Sequence, residues 1–162
     1  MPAPRLTPLA AAVLHVGEPE RALVVECGDG DGALFLAREF PRAAVRGVDS
    51  SPDAVRAAAA RVGLDPEGRV AFKQGAPRRL PFPDEQFDLL AALDARPAPA
   101  EAARVLRPGG FLVLARSGPG RPLGPLAARR LARRGFEPVR RGRAGAGAWT
   151  VLRLRGGRPA RG

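Results

Sequence analysis

The stretch Ala22-Leu-Val-Val-Glu-Cys-Gly-Asp-Gly-Asp-Gly-Ala-Leu-Phe-Leu-Ala37 constrains this chain more than any other. An apolar run from Ala22 to Val25 ends at the carboxylate of Glu26. Alternate glycines follow at Gly28, Gly30 and Gly32, and then an apolar pattern of helical period begins. That order predicts a strand, a tight turn and a helix. Glycine has no Cβ, so it adopts φ > 0 cheaply and lets a ligand approach the backbone closely. The turn is therefore read as holding a ligand. The free N–H groups and positive dipole end of the following helix favour an anionic group there, a carboxylate as readily as a phosphate.

A second acid stands at the distance such a unit needs. Ala44-Val-Arg-Gly-Val-Asp49 reads as a short strand ending in Asp49, about 20 residues after the glycines, where nucleotide-binding βαβ units carry a ribose-binding acid.

At 162 residues the chain has the length of one domain with a sizeable core. Cys27 is the only cysteine, which excludes an intramolecular disulfide and a metal site built on thiolates. Nothing resembles an apolar segment of about 18 residues or a signal-type apolar region, so a soluble, cytoplasmic protein with no membrane association is expected. The net charge of +11 is unevenly spread. Residues 1–75 carry nine basic and ten acidic side chains, residues 76–115 five of each, and residues 116–162 thirteen arginines against Glu137 alone.

The remaining elements follow from periodicity and turn residues. A short helix is expected over Thr7–Val16, carrying the only histidine, His15, read as a structural or surface residue. Helices are expected over Ala33–Phe40, Ala54–Val62, Ala100–Leu106 and Leu126–Arg134. In the last of these, Leu126, Ala127 and Leu131 should face inward, with Arg129, Arg130, Arg133 and Arg134 on the rest of its surface. Strands are expected at Val45–Val48, Arg69–Lys73, Leu89–Leu93 and Phe111–Ala115. Arg107-Pro-Gly-Gly110 is read as a turn. A closing hairpin pairs Phe136–Arg140 with Trp149–Leu154 around the glycine-rich segment Gly142–Gly147. The repeated β-α-β order implies an α/β fold with a parallel, doubly wound sheet. The division expected is residues 1–17 as an N-terminal extension or helix, 18–155 as the domain, and 156–162 as a disordered tail.

With these pieces in order, the sequence resembles the class I S-adenosylmethionine-dependent methyltransferases, in particular the small-molecule group with an LPF motif. Val24-Val-Glu-Cys-Gly-Asp-Gly-Asp-Gly32 is similar to their first motif and Val48-Asp-Ser-Ser-Pro-Asp53 to their second. Leu80-Pro-Phe-Pro-Asp-Glu-Gln-Phe-Asp88 and Arg104-Val-Leu-Arg-Pro-Gly-Gly110 are similar to the stretches before strands four and five. The resemblance implies a Rossmann-like sheet of order 3-2-1-4-5-7-6 with strand seven antiparallel, and S-adenosyl-L-methionine as cofactor. It places Gly28, Gly30 and Gly32 along the methionine part of the cofactor and Glu26 near its ammonium. Ser50, Gly75 and Ala76 would complete the site. Asp49 would accept both ribose hydroxyls, a bidentate role suited to a carboxylate.

The sequence departs from the family in two places. Relatives usually carry Gly-Asp-Ala before the LPF motif, the Asp accepting from the adenine amine; here Gly75-Ala76-Pro77 stands instead. One lost hydrogen bond costs about 0.5–1.5 kcal/mol. The acceptor-shaping segment from Asp88 to Arg104 is also short, and it offers Asp94 as the one candidate catalytic side chain.

Gly28-x-Gly30-x-x-Ala33 also fits a dinucleotide fingerprint. Glu26, Asp29 and Asp31 around the turn would repel a pyrophosphate, whereas they suit a cationic ammonium and sulfonium. Methyl transfer to a small-molecule acceptor is therefore the expected activity. The alternative is a non-catalytic module that binds the cofactor, a polyanion such as nucleic acid, or both, using Arg129, Arg130, Arg133 and Arg134 for the polyanion.

Overall fold

In the strand Arg21–Val25 (β1) every residue after Arg21 is buried. Ala22 and Val24 face one layer of helices, while Leu23 and Val25 face the other. The same alternation divides Leu89, Ala91 and Leu93 from Leu90 and Ala92 in the strand Phe87–Leu93 (β4). Strands apolar on both faces must be covered on both, the usual environment of a parallel sheet.

The computed structural model describes residues 3–63 and 67–156. After a 3-10 turn come Thr7–Ala12 (α1), β1, Asp31–Glu39 (α2), Ala44–Asp49 (β2), Pro52–Val62 (α3), Val70–Gln74 (β3) and β4. Then follow Pro99–Val105 (α4), Leu106–Arg116 (β5), Pro125–Arg133 (α5), Phe136–Ala144 (β6) and Gly147–Leu154 (β7). The seven strands form one sheet of order β3-β2-β1-β4-β5-β7-β6. Pairing is parallel from β3 to β5, and β7 runs antiparallel to both neighbours. This is the order and the antiparallel strand that the resemblance implied. No described helix is long and apolar enough to cross a membrane.

Core residues of α1 and α2 join the same face of the sheet, and those of α4 and α5 join the other. The N-terminal helix is thus part of the core: Leu9 and Ala12 are fully buried. His15 stacks on the Trp149 ring at 5.1 Å, a packing role.

Several expected boundaries are corrected. Arg107–Gly110 is not a free turn. Leu106 already pairs with Phe87, and a register shift between Phe87 and Leu89 absorbs the glycines as an irregular start to β5. The closing hairpin is longer than expected, its register running to Ala144 opposite Gly147, with Gly145 at φ +57 in the turn. Leu126 does not face inward; it is 62% exposed while Leu131 is buried. Among the residues of α5, Leu131 alone is buried. The tail expected to be disordered lies, from residue 157 on, outside the described residues.

Two stretches similar to family motifs are fastened to each other. Arg104 on α4 donates to the carbonyls of Phe82 (2.8 Å) and Leu80 (3.0 Å), and Glu101 accepts from the Leu80 N–H at 2.7 Å. The Asp88 carboxylate accepts from the N–H groups of Glu20 and Arg21 at the entry to β1. Side chains of the LPF region and of α4 therefore set where the strands begin and how the connection before β4 lies.

Gly30 has φ +90 and immediately precedes α2. A Cβ there would stand 3.1 Å from Ala58 Cβ on α3 and 3.2 Å from the Phe72 ring on β3. It is the protein interior, rather than a ligand, that excludes a side chain at this position. Gly30→Ala is expected to destabilise the fold by about 1–3 kcal/mol, from left-handed backbone strain and overpacking together. Urea unfolding of the two proteins checks this; an unchanged midpoint would refute the packing role.

Candidate functional site

Because β1, β2, β4 and β5 run parallel, the residues that follow them gather on one edge of the sheet. Val25 pairs with Val48 and with Ala92, and Leu93 pairs with Ala115. Glu26, Asp49, Asp94 and Ser117 therefore share the carboxyl edge, where the strand order reverses between β1 and β4. Ligands of open α/β sheets bind at such a switch point.

Asp49 is the anchor of the acidic end. It is 7% exposed, and its two oxygens accept from the N–H of Gly28 (3.0 Å) and of Ser51 (2.9 Å). Its carbonyl accepts from Gly75, so the loops after β1, β2 and β3 meet at one residue. A carboxylate has about four lone-pair sites, so the two amides leave acceptor capacity for a ligand. Ser51, which also caps α3 through its hydroxyl, was not among the expected site residues. The Ser-Ser-Pro sequence signalled the cap but not the amide contact. Ser50 is exposed, and its carbonyl accepts from the Gln74 side chain.

The glycines divide by role. Gly28 has φ +54 and open space where a Cβ would stand, as a ligand-facing position requires. Gly30 faces α3 and β3. Gly32 lies within the first turn of α2, and its Cβ would come within 3.6 Å of Val24 and 3.8 Å of Leu9. Of the three glycines, Gly28 alone has open space where a Cβ would stand, while the Cβ direction of Gly30 points at α3 and β3. Gly75 is likewise packed against Pro81 and Val48, where a Cβ would approach to 2.6 Å and 2.9 Å.

Charge around the turn is only partly balanced. Arg61 from α3 pairs with both Asp29 and Asp31. Glu26, at φ +52, has no partner among the described residues. Burial, and then repulsion from Asp49, raise its pKa above the ordinary carboxylate value. The same two causes push the buried Cys27 thiol up to about 12, which leaves it protonated and inert. An acidic pair with no cation beside it is suited to a cationic ligand.

Asp94 follows β4 at φ +56. It accepts from the Ser117 N–H at 2.8 Å and hydroxyl at 2.5 Å, and Arg5 lies 3.6 Å away. Burial alone would raise its pKa, but the two Ser117 bonds and the charges of Arg5 and Arg116 take it below the ordinary value. That is the environment of a tether between the ends of β4 and β5. It moves the group away from the near-neutral pKa a general base needs.

Ala76 is exposed and its carbonyl accepts from the Arg79 N–H; its methyl side chain accepts nothing. Beyond it, between the Ala76–Arg78 loop, the start of α4, the loop after β5 and α5, lies a cavity of about 770 Å³. A second cavity of about 510 Å³ lies over the ends of β4 and β5, and the two share Arg96 and Pro122. Sequence reasoning missed both, because each is lined by segments distant in sequence, and no local pattern reports such a gap. Arg129, Arg130, Arg133 and Arg134 are all exposed, as expected.

Comparison with known proteins follows the same lines. The family model described as a methyltransferase domain matches residues 22–110, from β1 to the irregular start of β5. The chain is 36% identical over 103 residues to the fatty-acid O-methyltransferase of Mycolicibacterium smegmatis, covering 59% of this chain and 36% of that protein. It is 40% identical over 111 residues to the ubiquinone/menaquinone biosynthesis C-methyltransferase of Syntrophotalea carbinolica, covering 64% and 46%. The matches span less than half the length of these relatives. A solved SAM-dependent methyltransferase from Aquifex aeolicus has the same fold, with a TM-score of 0.72 over 92% of this chain and 90% of that one at 19% identity. The matched span contains the acid-lined glycine turn, Asp49 and the tied LPF stretch, and on this ground the chain belongs to the methyltransferase domain family, built on the class I S-adenosylmethionine-dependent fold.

Proposed function

We propose that this chain binds S-adenosylmethionine at the carboxyl edge between β1 and β2 and catalyses methyl transfer to a small-molecule acceptor beside β4 and β5. The observation that carries the reading is Glu26, an acid without a cation partner beside Asp49 and above the open position at Gly28. This donor set fits a ligand with a cationic ammonium and a ribose. Glu26 would hold the ammonium and Asp49 the two hydroxyls, while Gly28 lets the ligand lie against the backbone. When bound, the cofactor supplies an electrophilic methyl group. The relatives named for fatty-acid, ubiquinone and menaquinone methylation support a small-molecule acceptor.

The rest of the task is positioning. In-line displacement draws its rate mainly from proximity and alignment, and the rigid ends of β4 and β5 offer a fixed floor for the acceptor. Asp94 belongs to that floor, holding the two strand ends together through Ser117. With its pKa lowered it is a poor proton acceptor, so an acceptor that arrives ionised, or needs no deprotonation, suits this edge.

Calorimetry with S-adenosylmethionine and its demethylated product tests the reading directly: both should bind, and binding of neither overturns it. Glu26→Gln is expected to weaken the cofactor about fivefold to tenfold without lowering the melting temperature, because it removes a repulsion from Asp49. The sign with pH follows. The ionised Glu26 attracts the cation, so affinity is full above its raised pKa and falls as pH drops through it. A loss of stability equal to the loss of affinity would make Glu26 structural instead.

Ala76→Asp should tighten binding by about 0.5–1.5 kcal/mol by returning an acceptor for the adenine amine. The Ala76–Arg79 backbone bond survives the change. Titration of both proteins checks it, and an unmoved affinity would mean that this loop does not face the adenine.

A second reading, a module acting on a polyanion, draws on the exposed, acid-free arginine surface of α5. Changing Arg129, Arg130, Arg133 and Arg134 to Gln should then weaken RNA binding and flatten its salt dependence by about 0.7 to 0.9 log units per lost contact. Fluorescence anisotropy at two salt concentrations decides it; identical, salt-insensitive curves would dismiss the polyanion.

A further inference from the structure

We infer that the cavity between α4 and α5 binds the apolar body of an acceptor that carries one acid group, and that Arg78, Arg96 and Arg130 receive that group. The inference rests on the methyl-transfer reading for the word acceptor, but the binding site itself does not depend on it.

The cavity wall is largely hydrocarbon. Pro77, Pro97 and Pro99 line one side, and Leu114, Leu123 and Leu131 the other. Its volume of about 770 Å³ lies within the range of small-molecule sites, which are apolar with a few placed polar groups. Here those groups have one sign. Arg78, Arg96 and Arg130 come from three separate segments, the loop after β3, the loop after β4 and α5, and all line the same cavity. None of the three side chains has an ion-pair or hydrogen-bond partner among the described residues.

The one acid on the wall, Glu101, is already committed. It accepts from the Leu80 N–H and from Arg104, which holds its pKa below the ordinary carboxylate value. Three arginines therefore line a largely apolar space whose one acid is already engaged. A guanidinium presents a fork of donors matched to carboxylate or phosphate oxygens. The complementary ligand is an amphiphile with an apolar body and one acid group, and a neutral or cationic amphiphile of the same length is a poor match.

Position ties this cavity to the reaction edge. Arg96 and Pro122 line both it and the neighbouring cavity over Asp94 and Ser117. A ligand held between α4 and α5 can thus extend to the ends of β4 and β5 without crossing the acidic end at Glu26 and Asp49.

The test uses the full chain and three probes of equal chain length, each below its micelle concentration: decanoate, decan-1-ol and decyltrimethylammonium. Calorimetry should show decanoate binding about tenfold tighter than decan-1-ol, with decyltrimethylammonium weakest. Arg96→Gln and Arg130→Gln should each weaken decanoate about threefold to tenfold and leave decan-1-ol within about twofold. Both are exposed positions, and circular dichroism matching wild type confirms the fold. Equal affinity for all three probes, no binding of any, or a preference for the cation would overturn the inference. The variants are also titrated with S-adenosylmethionine: unchanged affinity supports an acceptor site, and a parallel loss would assign the arginines to the cofactor and overturn it. If wild type binds decanoate selectively but neither S-adenosylmethionine nor its product, the methyl-transfer reading fails while the acid-binding cavity stands.

Discussion

The carboxylate of Asp49 is the contact on which the carboxyl edge depends. It is nearly buried, and it satisfies the amides of Gly28 and Ser51 while its own carbonyl takes the amide of Gly75. Three loops from three parallel strands are thereby held at one point. A buried charge is tolerated only when it is well hydrogen-bonded, and two backbone donors meet that demand without a cation. The negative charge therefore remains available to a ligand, and it is felt by its neighbours: burial first, and then this charge, make Glu26 and Cys27 hold their protons more tightly.

Much of this was legible in the residues. Apolar runs with glycine punctuation predict the strands and crossovers, and the spacing from the glycines to Asp49 predicts the acid on the second strand. The strand order came with the family resemblance, since local pattern alone does not say where the last hairpin joins the sheet. The packing demand on Gly30, set by Ala58 and Phe72, is not visible in the turn motif. What failed has physical reasons. Arg107–Gly110 has turn composition, yet pairing with β4 draws it into β5 as an irregularity. Leu126 stands five residues before Leu131, about 140° around a helix of 3.6 residues per turn, so burying Leu131 leaves Leu126 exposed.

The site was legible on its acidic side and hidden on the other. Acids at strand ends are placed by local sequence, so the positions of Glu26 and Asp49 could be named, while the roles expected of them came with the family resemblance. The Ser117 contact to Asp94 joins residues 23 apart in sequence, and the arginines of the α4–α5 cavity come from segments spread between positions 78 and 130. Such convergence is a property of the packed sheet. Thirteen arginines in the last third suggested a solvated or nucleic-acid-facing surface; in the fold, Arg130 shares its cavity with two arginines from earlier in the chain.

The edge as a whole is electrostatically divided. At β1 and β2 it presents Glu26 and Asp49 with no cation paired to Glu26, and over β4 and β5 it presents Arg96 and Arg116 with Asp94 already tied to Ser117 and Arg5. A sheet edge arranged in this way attracts a cation to one end and an anion to the other, and a low-dielectric surround strengthens both preferences. A reaction between a cationic donor and an anionic acceptor removes charge as it proceeds, so separate binding of the two partners by opposite fields brings them together with little further assistance from acid–base groups. On the proposed reading, such an edge needs no proton acceptor, in agreement with an Asp94 held by hydrogen bonds to Ser117.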